Sequence, residues 1–147
     1  MISFEKPIIL TRLDQDNKDF MELFTKIKPG PDVNQVFSCF PMLEIVFDKK
    51  VRDFSGEKNI IFTSRYGVQG VYDVESIRGK ATFCVGRSTA ITAQKAGFQK
   101  VFYPEEGNAE NLVKLITSKL IAENTTIHYI RAKEVSFNLK EELEKLG

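Results

Sequence analysis

The chain has no tryptophan, one histidine and two cysteines among its 147 residues, and each shortage removes a chemistry. Cys39 and Cys84 each lie inside an apolar run without a CxxC partner, which argues against a zinc site and reads as two buried thiols. The single histidine, His128, sits in a strand-like run with no nucleophile motif pointing to it, so it reads as structural rather than as part of a hydrolytic triad. Neither GxGxxG nor GxxxxGK[ST] occurs, which withholds motif support from nucleotide binding. No apolar run approaches the roughly 18–20 residues that span a bilayer, and Met1–Lys6 lacks the charged-then-apolar design of a signal peptide. A cytoplasmic protein with no membrane partner is expected. Charge of one sign is lacking too. Lys and Arg number 21 against 20 Asp and Glu, a net +1, and that balance argues against a dedicated nucleic-acid binder without forbidding local basic patches.

What is present is a rhythm of short apolar runs and amphipathic stretches. Pro7–Arg12 reads as a buried parallel strand. Asp14 or Asn17 then caps a helix to about Lys28, with Phe20, Leu23, Phe24 and Ile27 on one face, ended by Pro29-Gly30-Pro31. The apolar stretch 34–47 contains Pro41, which cannot donate to a sheet ladder, so it reads as a bent or edge strand or a linker. Residues 48–58 read as a loop. Strands follow at 59–63, 81–85, 100–103 and 126–130, each trailed by a helix: a short one from Arg65, Ser88–Ala96 closed by Gly97, Asn108 to about Ile121, and a last one carrying Phe137, Leu139, Leu143 and Leu146. Alternating strands and helices predict an α/β fold, a doubly wound parallel sheet, with one separate β-α piece at the N-terminus. The chain stops on a helix where such a sheet calls for another strand, so the expectation is an interrupted pattern.

Ligands of open parallel sheets bind beyond the carboxyl ends of the strands. Those ends carry Thr11-Arg12, Ser64-Arg65, Gly86-Arg87-Ser88-Thr89 and Arg131. Hydroxyls and guanidinium groups recur there, beside helix N-termini that favour anions, which suits a ligand bearing several carboxylates or phosphates. Each residue also has an ordinary reading: Ser88 as a helix cap, Asn108 as a cap with Glu110 in the first turn, Arg87 and Arg131 as solvated charges. No carboxylate pair stands at these strand ends, which argues against glycosidase-type acid–base hydrolysis.

The order Ile9-Leu10-Thr11-Arg12, Pro41-Met42-Leu43-Glu44-Ile45, Ile61-Phe62-Thr63-Ser64-Arg65-Tyr66-Gly67-Val68, Val85-Gly86-Arg87-Ser88-Thr89-Ala90, Gly97-Phe98 and Gly107–Leu112, with Arg131 before Leu139, Leu143 and Gly147, resembles the uroporphyrinogen-III synthase family along the whole chain. The resemblance implies two α/β domains, one assembled from both chain ends and one flavodoxin-like and inserted. It assigns 1–33 to the first strand and helix of the split domain, 34–47 to a linker strand, and 48–147 to the inserted domain without its closing strand. It implies cyclisation of the small-molecule substrate hydroxymethylbilane to uroporphyrinogen III with inversion of the last ring, and no cofactor or metal. The implied substrate-binding residues are Thr11, Arg12, Ser64, Arg65, Gly86, Ser88, Thr89 and Arg131. Ser64, Thr89 and Arg131 would line one rim and Thr11 and Arg12 the other side of a cleft. The family repeats the strand–TS–helix and G-x-x-T-A features in a later half and carries a functional tyrosine beyond the position of Gly147; Tyr129 does not match it. A truncated, inactive chain is therefore expected, with residues 1–30 mobile, packed on other segments, or borrowed by a second copy of a protein that is otherwise monomeric.

Two other classes fit the sequence less well. A receiver domain needs an aspartate at the end of a central strand, and the 59–63 strand ends in Thr63-Ser64; Asp14 and Asp16 echo it weakly. A flavin binder needs a hydroxyl- and glycine-rich phosphate loop after the first strand, and Arg12-Leu13-Asp14-Gln15 is not one.

Overall fold

The computed structural model describes residues 6–48, 54–56, 59–120, 126–135 and 137–145. Two compact units divide the chain, Met1–Phe47 and Asp48–Gly147.

The first unit holds β1 (Ile8–Leu10), α1 (Asp14–Ile27), α2 (Val33–Val36) and β2 (Phe37–Cys39). β1 and β2 pair in parallel, Ile8 opposite Phe37. The chain past β2 keeps tracking β1: the Phe40 N–H donates to Leu10 O at 2.8 Å and the Met42 N–H to Thr11 O at 3.1 Å. Pro41 falls between the two donors, so its missing N–H costs this ladder nothing. Regular strand is confined to 37–39 of the stretch 34–47, and 33–36 is a helical turn capped by Asp32. Phe20 and Phe24 of α1 meet the buried ring of Phe37 edge-on.

Three expectations are corrected here. β1 is parallel but not buried: Ile8 is 42% and Ile9 61% exposed, because β2 is its one strand neighbour among the described residues. Cys39 is exposed, not buried, with its Sγ 3.4 Å from Met21 Sδ. Asn17 does not cap α1. It lies inside the helix, fully buried, and its Nδ2 donates back to Leu10 O at 3.3 Å and Arg12 O at 3.1 Å. The N-cap position is Leu13, which offers no side-chain acceptor.

The second unit is a four-stranded sheet of β3 (Asn59–Phe62), β4 (Ala81–Cys84), β5 (Lys100–Phe102) and β6 (Ile127–Ile130) in the order β5-β4-β3-β6, with every pairing parallel. The connecting helices are α3 (Arg65–Gln69), α4 (Arg87–Lys95) and α5 (Ala109–Lys119); α6 (Leu139–Glu144) follows β6, and a 3-10 turn spans Glu75–Ile77. From β3 the chain lays β4 and β5 on one flank, then crosses back to set β6 on the other, which makes the sheet doubly wound.

Strand alternation sorts the core into two halves. Ile60, Phe62, Cys84 and Ile130 pack with Val68, Ala90, Ala93 and Phe98 on the α3/α4 side. Ile61 and Phe83 pack with Leu112, Ile116 and Leu139 on the α5/α6 side. α4 ends as its sequence requires. Gly97 takes φ +92°, its N–H donates to Gln94 O at 3.0 Å, and the Phe98 N–H reaches Ala93 O at 3.1 Å. This is a Schellman closure, with buried Phe98 packed edge-on against Phe62. α5 is capped by Asn108, whose side chain accepts from the Asn111 N–H at 2.8 Å. Ile121, Leu146 and Gly147 lie outside the described residues. No helix among those described is long and apolar enough to cross a membrane.

Candidate functional site

The strand order reverses at β3 and β6, so the carboxyl ends of these two strands and of β4 form the switch point at which such sheets bind ligands. Small residues let the backbone close up there. A Cβ on Gly67 would stand 3.2 Å from Ile130 O and 3.3 Å from Phe62 Cδ1, so glycine lets the start of α3 come this near the end of β6 without displacing either. A Cβ on Gly86 would stand 3.3 Å from the Gly107 Cα, and one on Gly107 3.2 Å from the Gly86 Cα, which brings the β4–α4 and β5–α5 turns into contact.

Beside these turns lies a groove of about 330 Å³. Its walls are Val85, Tyr129, Val135 and Phe137, with buried Leu139 beneath; Thr63, Ala109 and Glu134 complete the lining. Thr63 follows Ile61 by two residues and so shares the α5/α6 side of the sheet.

Six of the eight sequence-derived site residues stand at this carboxyl edge. Ser64 is the N-cap of α3, its side chain accepting from the Gly67 N–H at 3.3 Å. Arg65 Nη2 donates to Tyr66 Oη at 3.3 Å and its guanidinium lies 5.3 Å from the Tyr66 ring centroid. Gly86 is the N-cap of α4 and brings no side-chain acceptor, so the first turn of that helix is left without one. Ser88 therefore stands inside the first turn, exposed, rather than capping it as expected. Thr89, one residue on, is buried against the core. Arg131 curls over its own loop: Nη1 donates to Ala132 O at 3.1 Å and Lys133 O at 3.0 Å, and the guanidinium lies 5.8 Å from the Tyr129 ring centroid. None of the six lines the groove. Thr11 and Arg12 belong to the first unit, after β1, where Arg12 pairs with Asp16 at 3.2 Å.

The groove residues escaped the sequence reading. Thr63 and Val85 adjoin Ser64 and Gly86 in sequence but face the other side of the sheet, and strand alternation was the available signal. The clear pKa displacements among the described residues fall away from the groove. Burial pushes the Cys84 thiol up to about 12. The Asp14 carboxylate raises Lys18 by accepting its hydrogen bond, and Glu142 with Glu141 does the same for Lys145. No group of three or more His, Cys, Asp or Glu among the described residues is placed to hold a metal ion.

Fold and edge together define a doubly wound α/β protein that presents hydroxyl, guanidinium and helix N–H donors around a groove of mixed polar and apolar lining. A family model for uroporphyrinogen-III synthase HemD matches residues 36–147, and the chain belongs to that family. The matched span contains the groove and the six edge residues; Thr11 and Arg12 precede it. No curated protein and no solved structure matches the chain.

Proposed function

We propose that the protein cyclises hydroxymethylbilane to uroporphyrinogen III with inversion of the last ring, a step of tetrapyrrole biosynthesis. The observation that carries this reading is the family match across the span that builds the carboxyl edge. The substrate is a flexible polycarboxylate. Its arms suit the uncapped first turn of α4, the Ser88 hydroxyl and the guanidinium groups of Arg65 and Arg131. Thr11 and Arg12 are further candidates on the first unit. The reaction expels water from the hydroxymethyl group, giving an azafulvene, and closes the macrocycle through a spiro intermediate. It is redox-neutral, so its balance needs no cofactor. The contribution expected of these residues is positioning, an entropic effect for which donors suffice.

A second reading, a module that binds the bilane without turning it over, is favoured by the thin packing of the first unit, where Leu23 is 53% and Ile27 74% exposed. Incubation with enzymatically generated hydroxymethylbilane, then oxidation and separation of the isomers, decides between them. Type III isomer well above the spontaneous type I background establishes turnover, against the inactive chain expected from the sequence. Type I alone, with the bilane retained on gel filtration, establishes the second reading.

A further inference from the structure

We propose that the groove on the α5/α6 side of the switch point is a ring pocket, which takes one pyrrole ring of the bilane with its N–H toward Glu134 and excludes the carboxylate arms. The choice of a pyrrole rests on the proposed function; the kind of ligand rests on the lining. At about 330 Å³ the groove stands at the small end of the roughly 300–1,000 Å³ common for ligand sites, the scale of one ring with its immediate substituents rather than of a tetrapyrrole. Tyr129 and Phe137 offer aromatic surface and Leu139 a buried aliphatic base, which suit a flat π-system.

Three lining side chains are polar, Thr63, Tyr129 and Glu134, and Glu134 is the one that carries a charge. Glu134 brings a carboxylate acceptor, Thr63 and Tyr129 hydroxyls. A carboxylate arm entering the groove meets the like charge of Glu134 and no lining cation, whereas an aromatic N–H finds an acceptor there. The cations stand at the edge but not in the lining. Arg131, its guanidinium over the Tyr129 ring, is placed where arms on a ring seated beside Tyr129 would emerge. Ring inside and arms outside is a division of labour between two sets of residues, with rejection of the wrong group built in.

The test uses the full chain with methyl-labelled side chains and two probes: porphobilinogen, a monopyrrole with two carboxylate arms, and glutarate, which has the carboxylates without the ring. The expected result is saturable shifts of the Val85, Val135 and Leu139 methyls with porphobilinogen and none with glutarate. Glu134→Gln, at an exposed position that should not disturb folding, is expected to weaken porphobilinogen binding by about fivefold, the loss of a charge-assisted hydrogen bond at a partly solvated site. Val85→Phe, which narrows the groove, should abolish the methyl shifts. Equal shifts with glutarate, unmoved groove methyls in the presence of porphobilinogen, or unchanged binding by Glu134→Gln would each overturn the proposal. The methyl shifts need no turnover. Groove binding without type III isomer therefore counts against the enzymatic reading alone, and type III isomer without groove binding counts against the ring pocket alone.

Discussion

Cys84 and Cys39 are the same side chain in opposite circumstances, and their contrast is measurable. Cys84 is fully buried on β4, and burial raises its thiol to about 12, whereas Cys39 is exposed at the end of β2. Iodoacetamide at pH 8 should attach one adduct to the native protein, at Cys39, and a second only in denaturant; two adducts without denaturant would contradict the burial. The folded protein keeps the Cys84 proton more tightly than the unfolded chain, whose thiol ionises near 8.5. Stability therefore stays whole below that value and falls as pH rises from there toward about 12. Urea midpoints between pH 8 and 10.5 should drop, and drop less in Cys84→Ala relative to that variant's own value at pH 8. Asn17 is the other residue whose role is local and specific. Asn17→Ala strips a donor from Leu10 O and Arg12 O, and should cost roughly 1–3 kcal/mol by urea denaturation. The sequence offered Asn17 as a helix cap and not as a buried residue, because what makes it structural is its burial against the β1–α1 turn, a property of tertiary packing.

At the scale of elements, α4 depends on a single residue for its ending. Gly97→Ala must hold a Cβ at φ +92° and bring it to 3.3 Å from Arg78 Cδ. The arginine stem yields easily; the backbone does not, so the loss should be about 1 kcal/mol, read as a lowered thermal midpoint by circular dichroism. This closure was legible in the sequence, as were the strands β3 to β6 and their helices, because compact apolar runs bounded by Gly, Asn and Ser leave few alternatives. The start of α4 was legible less well. Ser88 has the chemistry of a cap, but the chain turns into the helix at Gly86, where close contact with Gly107 crowds any side chain. The stretch 34–47 reads as a bent or edge strand or a linker; regular strand ends at Cys39, and Phe40, Met42, Leu43 and Val46 stay exposed, since hydrophobicity predicts burial only where a neighbour arrives to provide it. The groove was hidden likewise: Val85, Val135 and Phe137 are core residue types, and only the side of the sheet each one faces makes them a wall.

For the whole molecule, the two units differ in self-sufficiency. Residues 48–147 hold both halves of a layered core. In the first unit, Asn17, Val36 and Phe37 are the buried residues among those described, around a two-stranded sheet, an arrangement below what stands alone in water. A 48–147 polypeptide should give a dispersed amide spectrum and a cooperative melt, and a 1–47 peptide neither; a folded 1–47 peptide would refute this. The central place of β3 has a consequence in time. One flank of β3 is filled by β4, which follows closely in the chain, while the other waits for β6, which arrives only after α3, α4 and α5 have been traversed. Loop-closure entropy makes the distant pairing the slower to form. The rate-limiting assembly of the sheet should thus be crossed with β3, β4 and β5 in register and β6 still undocked. Stopped-flow refolding would then find Phe83→Leu slowing the approach to the native state, while Ile130→Val leaves that rate nearly unchanged and hastens unfolding instead.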